Sequence, residues 1–90
     1  MTMALLGKRV LITGAASGIG REAAFSFAEL GASLELSDID EAGLERTAML
    51  CRKLGAASGI TVTTHRVDVA SPSDMKRMAE DVHRRIDALD

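Results

Sequence analysis

Three glycines, spaced four and two residues apart, constrain the fold of this chain more than any other feature. Gly14, Gly18 and Gly20 follow the apolar, β-branched run Arg9–Thr13, which is typical of a strand buried on both faces. Gly14 permits a tight turn at the end of that strand, and Gly20 lets a following helix pack closely against it. The sequence therefore predicts a strand, a glycine-rich loop and a helix in direct succession.

The rest of the sequence continues this alternation of strand and helix. We predict strands at 9–13, 33–37 and 60–67, and helices beginning at 19, spanning 40–54 and beginning at 72. Such alternation is typical of an α/β fold with a parallel sheet between helices. The first strand of a doubly wound sheet lies at its centre, so a further strand is expected on its open side. No segment is left to form it, and we expect a βαβαβα half of a doubly wound fold with the C-terminal half missing.

Each predicted helix carries apolar residues at helical spacing that are expected to face the core. They are Ile19, Ala23, Phe27 and Leu30 in the first helix, Leu44, Ala48, Cys51 and Leu54 in the second, and Met75, Met78, Ala79, Val82 and Ile86 in the third. The expected solvated face of the third helix carries Lys76, Arg77, Arg84 and Arg85. Glu35 interrupts the second strand, and Gly43 weakens the second helix. Ser71, Pro72 and Asp74 form a capping-box-like start of the third helix.

The loop from Gly14 to Gly20 joins a strand to a helix, where main-chain N–H groups and the helix dipole favour a phosphate. Gly18 has no side chain that would block a pyrophosphate group. This context makes the motif typical of a dinucleotide site, in which Ser17 and Ile19 lie beside the glycines. The alternative is a tight strand-to-helix turn that binds nothing.

Asp38 supports the dinucleotide interpretation because it ends the second predicted strand, 18 residues after Gly20. At about this separation an acidic side chain meets the adenosine ribose hydroxyls, and its charge repels a 2′-phosphate. Ile39, rather than Arg or Lys, follows it, so NAD is favoured over NADP. Arg21 could still reach a phosphate. The alternative is that Asp38 serves only a turn or a helix cap near Asp40.

Together these features resemble the short-chain dehydrogenase/reductase family. The likeness rests on Thr-Gly-x-x-x-Gly-x-Gly at 13–20, the acid at position 38 and Asp68-Val69 after the third strand, and it extends over essentially the whole chain. The resemblance implies a partial Rossmann fold in which the Asp68 carboxylate contacts the adenine amino group and the Val69 main chain assists. Alternatively, Asp68 only braces the turn before Ser71. The expected cofactor-binding residues are Gly14, Ser17, Gly18, Ile19, Gly20, Asp38, Ile39, Asp68 and Val69.

The resemblance also implies an oxidoreductase that transfers hydride between NAD(P) and a small alcohol or carbonyl substrate. Members of the family continue with an Asn-Asn-Ala-Gly strand, a catalytic Ser and a Tyr-x-x-x-Lys pair, whose tyrosine is the general acid/base. The 90 residues contain no tyrosine and none of these motifs. We therefore expect residues 1–90 to be the truncated N-terminal part of an NAD(P)-binding domain, with no catalytic residue and no activity alone. The complete protein is compatible with a homo-oligomer.

Two other functions use a similar glycine-rich loop. A stand-alone nucleotide-binding module would bind without catalysis, but it must cover the open edge of its first strand. A methyltransferase nucleoside site has glycines at alternate positions, whereas three residues separate Gly14 from Gly18. The spacing therefore argues against a methyltransferase.

Composition excludes several classes of partner. The net charge of −2 and the two aromatic residues leave neither a basic surface nor a stacking platform for nucleic acid. No apolar run approaches the ~20 residues of a membrane span, so no membrane is expected. The single cysteine, Cys51, lies on the apolar face of the second predicted helix and is expected in the core. Because the chain has no pair of cysteines for a disulfide, we expect a cytoplasmic protein. His65 and His83 lack partners at metal-ligand spacing, so we expect no metal and predict that both face solvent.

Overall fold

The computed structural model describes residues 4–89, with side chains through residue 85. The elements are β1 (Arg9–Thr13), α1 (Gly18–Glu29), β2 (Ser33–Asp38), α2 (Glu41–Leu54), a 3₁₀ turn (Ala56–Ser58), β3 (Val62–Arg66) and α3 (Pro72–Leu89). The three strands lie in the order β1-β2-β3 and pair in parallel. The predicted α/β fold and its order of strands and helices are confirmed.

β2 is the central strand of the described sheet, and β1 forms one of its edges. Leu11 of β1 pairs with Glu35 of β2, which pairs with Thr63 of β3. The four residues 34–37 are all buried, whereas Leu11 is 46% exposed. β1 is therefore less buried than predicted, because side chains alternate along a strand and only the Ile12 side faces the core. The further strand beside β1 stays a prediction.

The main core lies between the sheet and helices α1 and α2. Its buried residues are Ile12, Ala15, Ala24, Ala28, Ala32, Leu34, Leu36, Leu44, Ala48, Cys51 and Val62. The predicted core face of α2 is confirmed for its first three residues, while Leu54 is 43% exposed at the end of the helix. Cys51 is fully buried, as predicted, and this burial raises the pKa of its thiol to about 11.

The predicted core stripe of α1 is wrong at its ends. Ile19 is 90% exposed and Leu30 is 36% exposed, whereas Ala24 and Ala28, one turn apart, are completely buried. These alanines have the smallest side chains on the helix that still carry a Cβ, and they let its backbone lie close to the sheet. The spacing of hydrophobic residues predicted that the larger side chains would face the core. Close packing of the helix backbone against the sheet instead requires small side chains at this interface.

α3 begins as predicted, but the Asp74 side chain accepts a hydrogen bond from a different backbone group than a capping box would use. The Asp74 N–H donates to the Ser71 hydroxyl at 3.3 Å, which is the expected cap. Asp74 Oδ2 accepts from the Asp68 N–H at 3.1 Å, so the reciprocal bond of a capping box goes to the loop before the helix. Among residues 4–89, no helix combines the length and the apolar character needed to cross a membrane.

A second, smaller core holds α3 near the end of β3. Val67, Met78 and Val82 are buried there, and Met75 packs against them. The predicted stripe is confirmed at these methionines and the valine but wrong at Ala79, which is exposed because it lies one position beyond the buried face. The side chain of Ile86 lies outside the described residues.

A buried ion cluster connects the opposite face of the sheet to α3. The Glu35 side chain is 0% exposed and accepts from Arg9, His65 and Arg85. The prediction that His65 faces solvent is wrong, since only 8% of its side chain is exposed, and Arg85 turns inward rather than onto the solvated face. The physical reason is Glu35: a carboxylate buried in a central strand requires charged or hydrogen-bonding partners. His83 is exposed, as predicted.

Candidate cofactor-binding site

The glycine loop between β1 and α1 adopts a backbone that requires glycine. Gly14 has φ 66° and Gly18 has φ 58°, in the left-handed region that other residues rarely occupy. A Cβ added to either would meet nothing within 4 Å, so the space above both is open. A Cβ on Gly20 would instead overlap the carbonyl oxygen of Gly14. The loop therefore combines close packing beneath it with open main chain above it, which fits a pyrophosphate group.

The first turn of α1 leaves its N–H groups available. Ser17 is the N-cap in an extended conformation, φ −160° and ψ 170°, and within the described residues its hydroxyl makes no capping hydrogen bond. The first N–H groups of a helix have no partner inside the helix, and a capping side chain usually satisfies one of them. Here those groups stay free to donate to an anion, and the helix dipole favours the same charge.

Asp38 at the end of β2 holds the glycine loop through the main chain. Its Oδ2 accepts from the Ala16 N–H at 2.9 Å, and its Oδ1 accepts from the Asp40 N–H at 3.0 Å. The Ala15 N–H donates to the Ser37 carbonyl at 3.0 Å. The turn and cap role that the sequence left open is therefore present. It leaves acceptor capacity, since an ionised carboxylate offers about four lone-pair sites.

The carboxyl ends of β1, β2 and β3 surround one depression of about 180 Å³. Its lining residues are Gly14, Ser37, Asp38, Ile39, Val67, Asp68 and Val69. The structure thus brings together five of the nine residues predicted to bind the cofactor. Gly18 and Ile19 line a second, open depression along α1, while Ser17 and Gly20 line neither.

Asp68 has a structural role that the sequence left open as its alternative. Its Oδ1 accepts from the Ala70 N–H at 2.9 Å, and its carbonyl accepts from the Ser71 N–H at 2.9 Å. Its own N–H donates to Asp74, and this bond lowers the pKa of the Asp74 carboxyl. The carboxylate is thereby fixed at the rim of the depression. Beside it Ile39 and Val69 are 53% and 71% exposed, which gives the depression apolar edges.

Four residues of this region were missed by sequence reasoning. Ser37 and Val67 line the depression, Ala16 donates to Asp38, and Gly43 packs against Ala16. Ser37 and Val67 could have been found as the neighbours of the two predicted aspartates at the strand ends. Gly43 carried a signal that was interpreted only as a weak helix, since a glycine inside a helix often marks a close approach.

Comparison with known proteins decides which family this geometry represents. The family model described as short chain dehydrogenase matches residues 8–90. The chain belongs to the short-chain dehydrogenase family. This assignment confirms the resemblance and rejects the methyltransferase alternative.

Curated short-chain dehydrogenases match most of the chain but extend well beyond it. The chain is 41% identical over 86 residues to 11-beta-hydroxysteroid dehydrogenase 1A of Arabidopsis thaliana, covering 96% of this chain and 24% of that protein. It is 58% identical over 50 residues to estradiol 17-beta-dehydrogenase 11 of Rattus norvegicus, covering 56% of this chain and 17% of that protein. The chain thus spans about a quarter or less of these relatives.

Solved short-chain dehydrogenase structures superpose on the described fold. NAD+-bound xylitol dehydrogenase gives a TM-score of 0.82 at 28% identity, over 91% of this chain and 30% of that one. L-Sorbose reductase from Gluconobacter frateurii, complexed with NADPH and L-sorbose, gives 0.80 at 33% identity, over 93% and 31%. One of these structures holds NAD+ and the other NADPH, so the comparison supports NAD(P) as the cofactor class of the family.

Proposed function

We propose that residues 1–90 bind the nucleotide part of NAD in a protein that interconverts an alcohol and a carbonyl compound. The observation that carries this proposal is the open main chain at Gly14 and Gly18, which lies at the start of α1 and is hydrogen-bonded to Asp38 through Ala16. Gly59, in an ordinary turn, also has a left-handed φ and open space around it, so what distinguishes the loop at Gly14 and Gly18 is its place at the N-terminal end of α1 and its hydrogen bond to Asp38. Membership of the short-chain dehydrogenase family supplies the reaction class.

The charge at the end of β2 supports NAD over NADP. Two backbone N–H groups fix the Asp38 carboxylate, so it cannot turn away without leaving both donors unpaired. A carboxylate fixed in this position accepts hydrogen bonds from the ribose hydroxyls, and its negative charge repels a 2′-phosphate. Arg21, which could have met that phosphate, has its guanidinium carbon 5.8 Å from the centroid of the Phe25 ring. This is a cation–π contact within α1 at an exposed side chain, so it favours but does not fix this position of the arginine.

The predicted cofactor-binding residues each have a proposed task in binding. The N–H groups of the glycine loop donate to the pyrophosphate, Asp38 accepts from the adenosine ribose, and Asp68 accepts from the adenine amino group. Ile39 and Val69 flank the base with apolar surface. The bound nicotinamide cofactor supplies the hydride-transfer chemistry. The 90 residues contain no tyrosine, so under this proposal the acid/base step is carried out by residues elsewhere in the whole protein.

The experiment is a calorimetric titration of the whole protein with NAD and NADP. Gly18→Val should weaken NAD binding by about 100-fold, the equivalent of losing one or two charge-assisted hydrogen bonds. Gly59→Val is the matched control, because Gly59 also has a left-handed φ of 65° with open space around it. It precedes β3 and therefore lies near the amino ends of the strands, whereas the proposed site lies at their carboxyl ends. Equal NAD affinity in the wild type and in Gly18→Val would refute the proposal.

A nucleotide-binding module without catalysis is distinguished by turnover. Residues 1–90 alone are expected to produce no NADH from NAD with any alcohol, since they contain no tyrosine to act as general acid/base. The whole protein is expected to turn over a small alcohol or ketone. A whole protein that binds NAD but reduces no NAD with a panel of primary, secondary and sterol alcohols would favour the module.

A further inference from the structure

Gly43 in the first turn of α2 lies against the loop that forms the proposed cofactor site. It is buried, and its backbone is not in the left-handed region, so conformational freedom does not explain a glycine here. Space does. A Cβ added to Gly43 would lie 3.0 Å from the Ala16 Cβ and 2.5 Å from Asp40 Oδ2. Both neighbours would have to shift to accept it.

The two residues that crowd Gly43 are the same two that hold Asp38. The Ala16 N–H donates to Asp38 Oδ2, and the Asp40 N–H donates to Asp38 Oδ1. Asp40 is also the N-cap of α2, because its Oδ1 accepts from the Gly43 N–H at 3.1 Å. Both oxygens of the Asp38 carboxylate are therefore bonded by residues in contact with Gly43.

The two contacts differ in how easily they can yield. Asp40 Oδ2 is the end of a side chain and can rotate, at the cost of the helix cap. The Ala16 Cβ is attached directly to the main chain, so it moves only together with the loop backbone. A side chain at position 43 would therefore shift the Ala16 N–H by a few tenths of an ångström relative to Asp38.

We propose that Gly43 is a positioning residue, which sets the orientation of the Asp38 carboxylate by leaving room for Ala16 and Asp40. This inference rests on the proposed binding of NAD at Asp38. It does not require Gly43 to touch the cofactor. The consequence is that cofactor selectivity depends on a residue of α2 that lies beneath the site.

The test compares one substitution in the first turn of α2 with one at its C-cap, both in the whole protein. Gly43→Ala should weaken NAD binding by about tenfold and narrow the ratio of NAD to NADP affinity, because the carboxylate no longer meets the ribose in its preferred geometry. Gly55→Ala is the matched control at the other end of α2. Its Cβ would overlap the Ile60 side chain, so this position is at least as crowded as Gly43 but lies at the other end of α2 from Asp38. It should leave the ratio unchanged.

Rescue separates the loop contact from the helix cap. Ala16→Gly combined with Gly43→Ala removes the crowded methyl group on the loop, and NAD affinity should return to within about twofold of Ala16→Gly alone. Asp40→Ala removes the cap without crowding the loop. If Asp40→Ala reproduces the effect of Gly43→Ala and the double variant shows no rescue, Gly43 serves only the cap and the proposal is overturned.

A readout without cofactor keeps this inference separate from the proposed function. Amide hydrogen exchange at the Ala16 N–H should be faster in Gly43→Ala than in wild type and unchanged in Gly55→Ala. If the wild type binds no NAD but exchange responds in this way, the proposed function fails and the positioning role stands. Unchanged exchange and unchanged cofactor ratio in Gly43→Ala overturn it. So does unfolding of Gly43→Ala while Gly55→Ala folds, because alanine favours a helix and the required shift is small.

Discussion

Arg85 of α3 donates hydrogen bonds from two nitrogen atoms to the buried carboxylate of Glu35 in β2. Arg85 Nε lies 2.9 Å from Oε2, and Arg85 Nη2 lies 2.7 Å from Oε1. In the part of α3 whose side chains the structure describes, which ends at residue 85, Met78 and Val82 are buried in the small core near the end of β3. The ion pair between Arg85 and Glu35 joins α3 to the sheet beside these apolar contacts, and its two residues are 50 positions apart in the sequence.

Replacing Arg85 should loosen α3. In Arg85→Leu, the Glu35 carboxylate keeps Arg9 and His65 but loses its bidentate partner. Breaking a fully buried pair costs 3–5 kcal/mol, and because Arg85 is 30% exposed we expect a loss of about 2 kcal/mol in the free energy of unfolding. Chemical denaturation of the whole protein measures it.

Arg84 provides the control for this substitution. It lies next to Arg85 and pairs with Asp81, but its side chain is 71% exposed. Exposed pairs of this kind contribute little to stability, so Arg84→Leu should leave the denaturation midpoint almost unchanged. Equal losses for the two variants would show that the buried pair does not dock α3.

Acid should weaken the same cluster. Burial by itself raises the pKa of the Glu35 carboxyl, but hydrogen bonds from Arg85, His65 and Arg9 outweigh it and hold the pKa below its ordinary value of 4.5. The folded state thus keeps this carboxylate ionised at a pH where the unfolded chain binds a proton. The resulting stability is fully present above pH 4.5 and is lost as the pH falls through the folded-state pKa.

Unfolding free energies measured from neutral pH downward test this dependence. Glu35→Gln should be less stable at neutral pH and should show a shallower loss below pH 4.5, because the titrating group is gone. Glu45→Gln serves as the control, since Glu45 is exposed on α2. An acid dependence that is unchanged in Glu35→Gln would assign it to other carboxyl groups.

The order of strands and helices was predictable because its signals are local. Arg9–Thr13 forms β1 where a β-branched run meets Gly14, and Asp38 ends β2 at the predicted edge of the sheet. The carboxyl ends of parallel strands meet at one edge, so Asp38 and Asp68 lie at the same depression. These parts of the site follow from short-range sequence and from topology.

The remaining features depend on which elements meet in space. No residue near His65 in the sequence indicates that it will be buried and paired with Glu35, which lies thirty residues earlier. Ile19 looked like a core residue, but the alanines of α1 fit the narrow space against the sheet. Gly43 weakens α2 as an isolated helix, yet it permits contact with Ala16. Such choices are set by tertiary packing rather than by local propensity.

Cys51 should be unreactive in the folded protein. Burial in the main core raises the pKa of its thiol to about 11, and the reactive species is the thiolate. At pH 8 only about one thiol in a thousand is then ionised, besides being shielded from reagents. Iodoacetamide labelling followed by mass spectrometry should show modification only in denaturant. Rapid labelling of the native protein would place Cys51 outside a stable core.

Asp38→Asn should change the cofactor preference with little change in side-chain size. The carboxylate accepts from both Ala16 and Asp40, whereas an asparagine amide has one acceptor oxygen and directs its NH₂ group at the other donor. The loop therefore loses one hydrogen bond, and the negative charge that opposes a 2′-phosphate disappears. NAD affinity should fall about tenfold while NADP affinity rises, as titration of both cofactors would show. Asp40→Asn is the control, since it alters the helix cap but not the Asp38 charge. If Asp38→Asn left the ratio of the two affinities unchanged, this carboxylate would not select the cofactor.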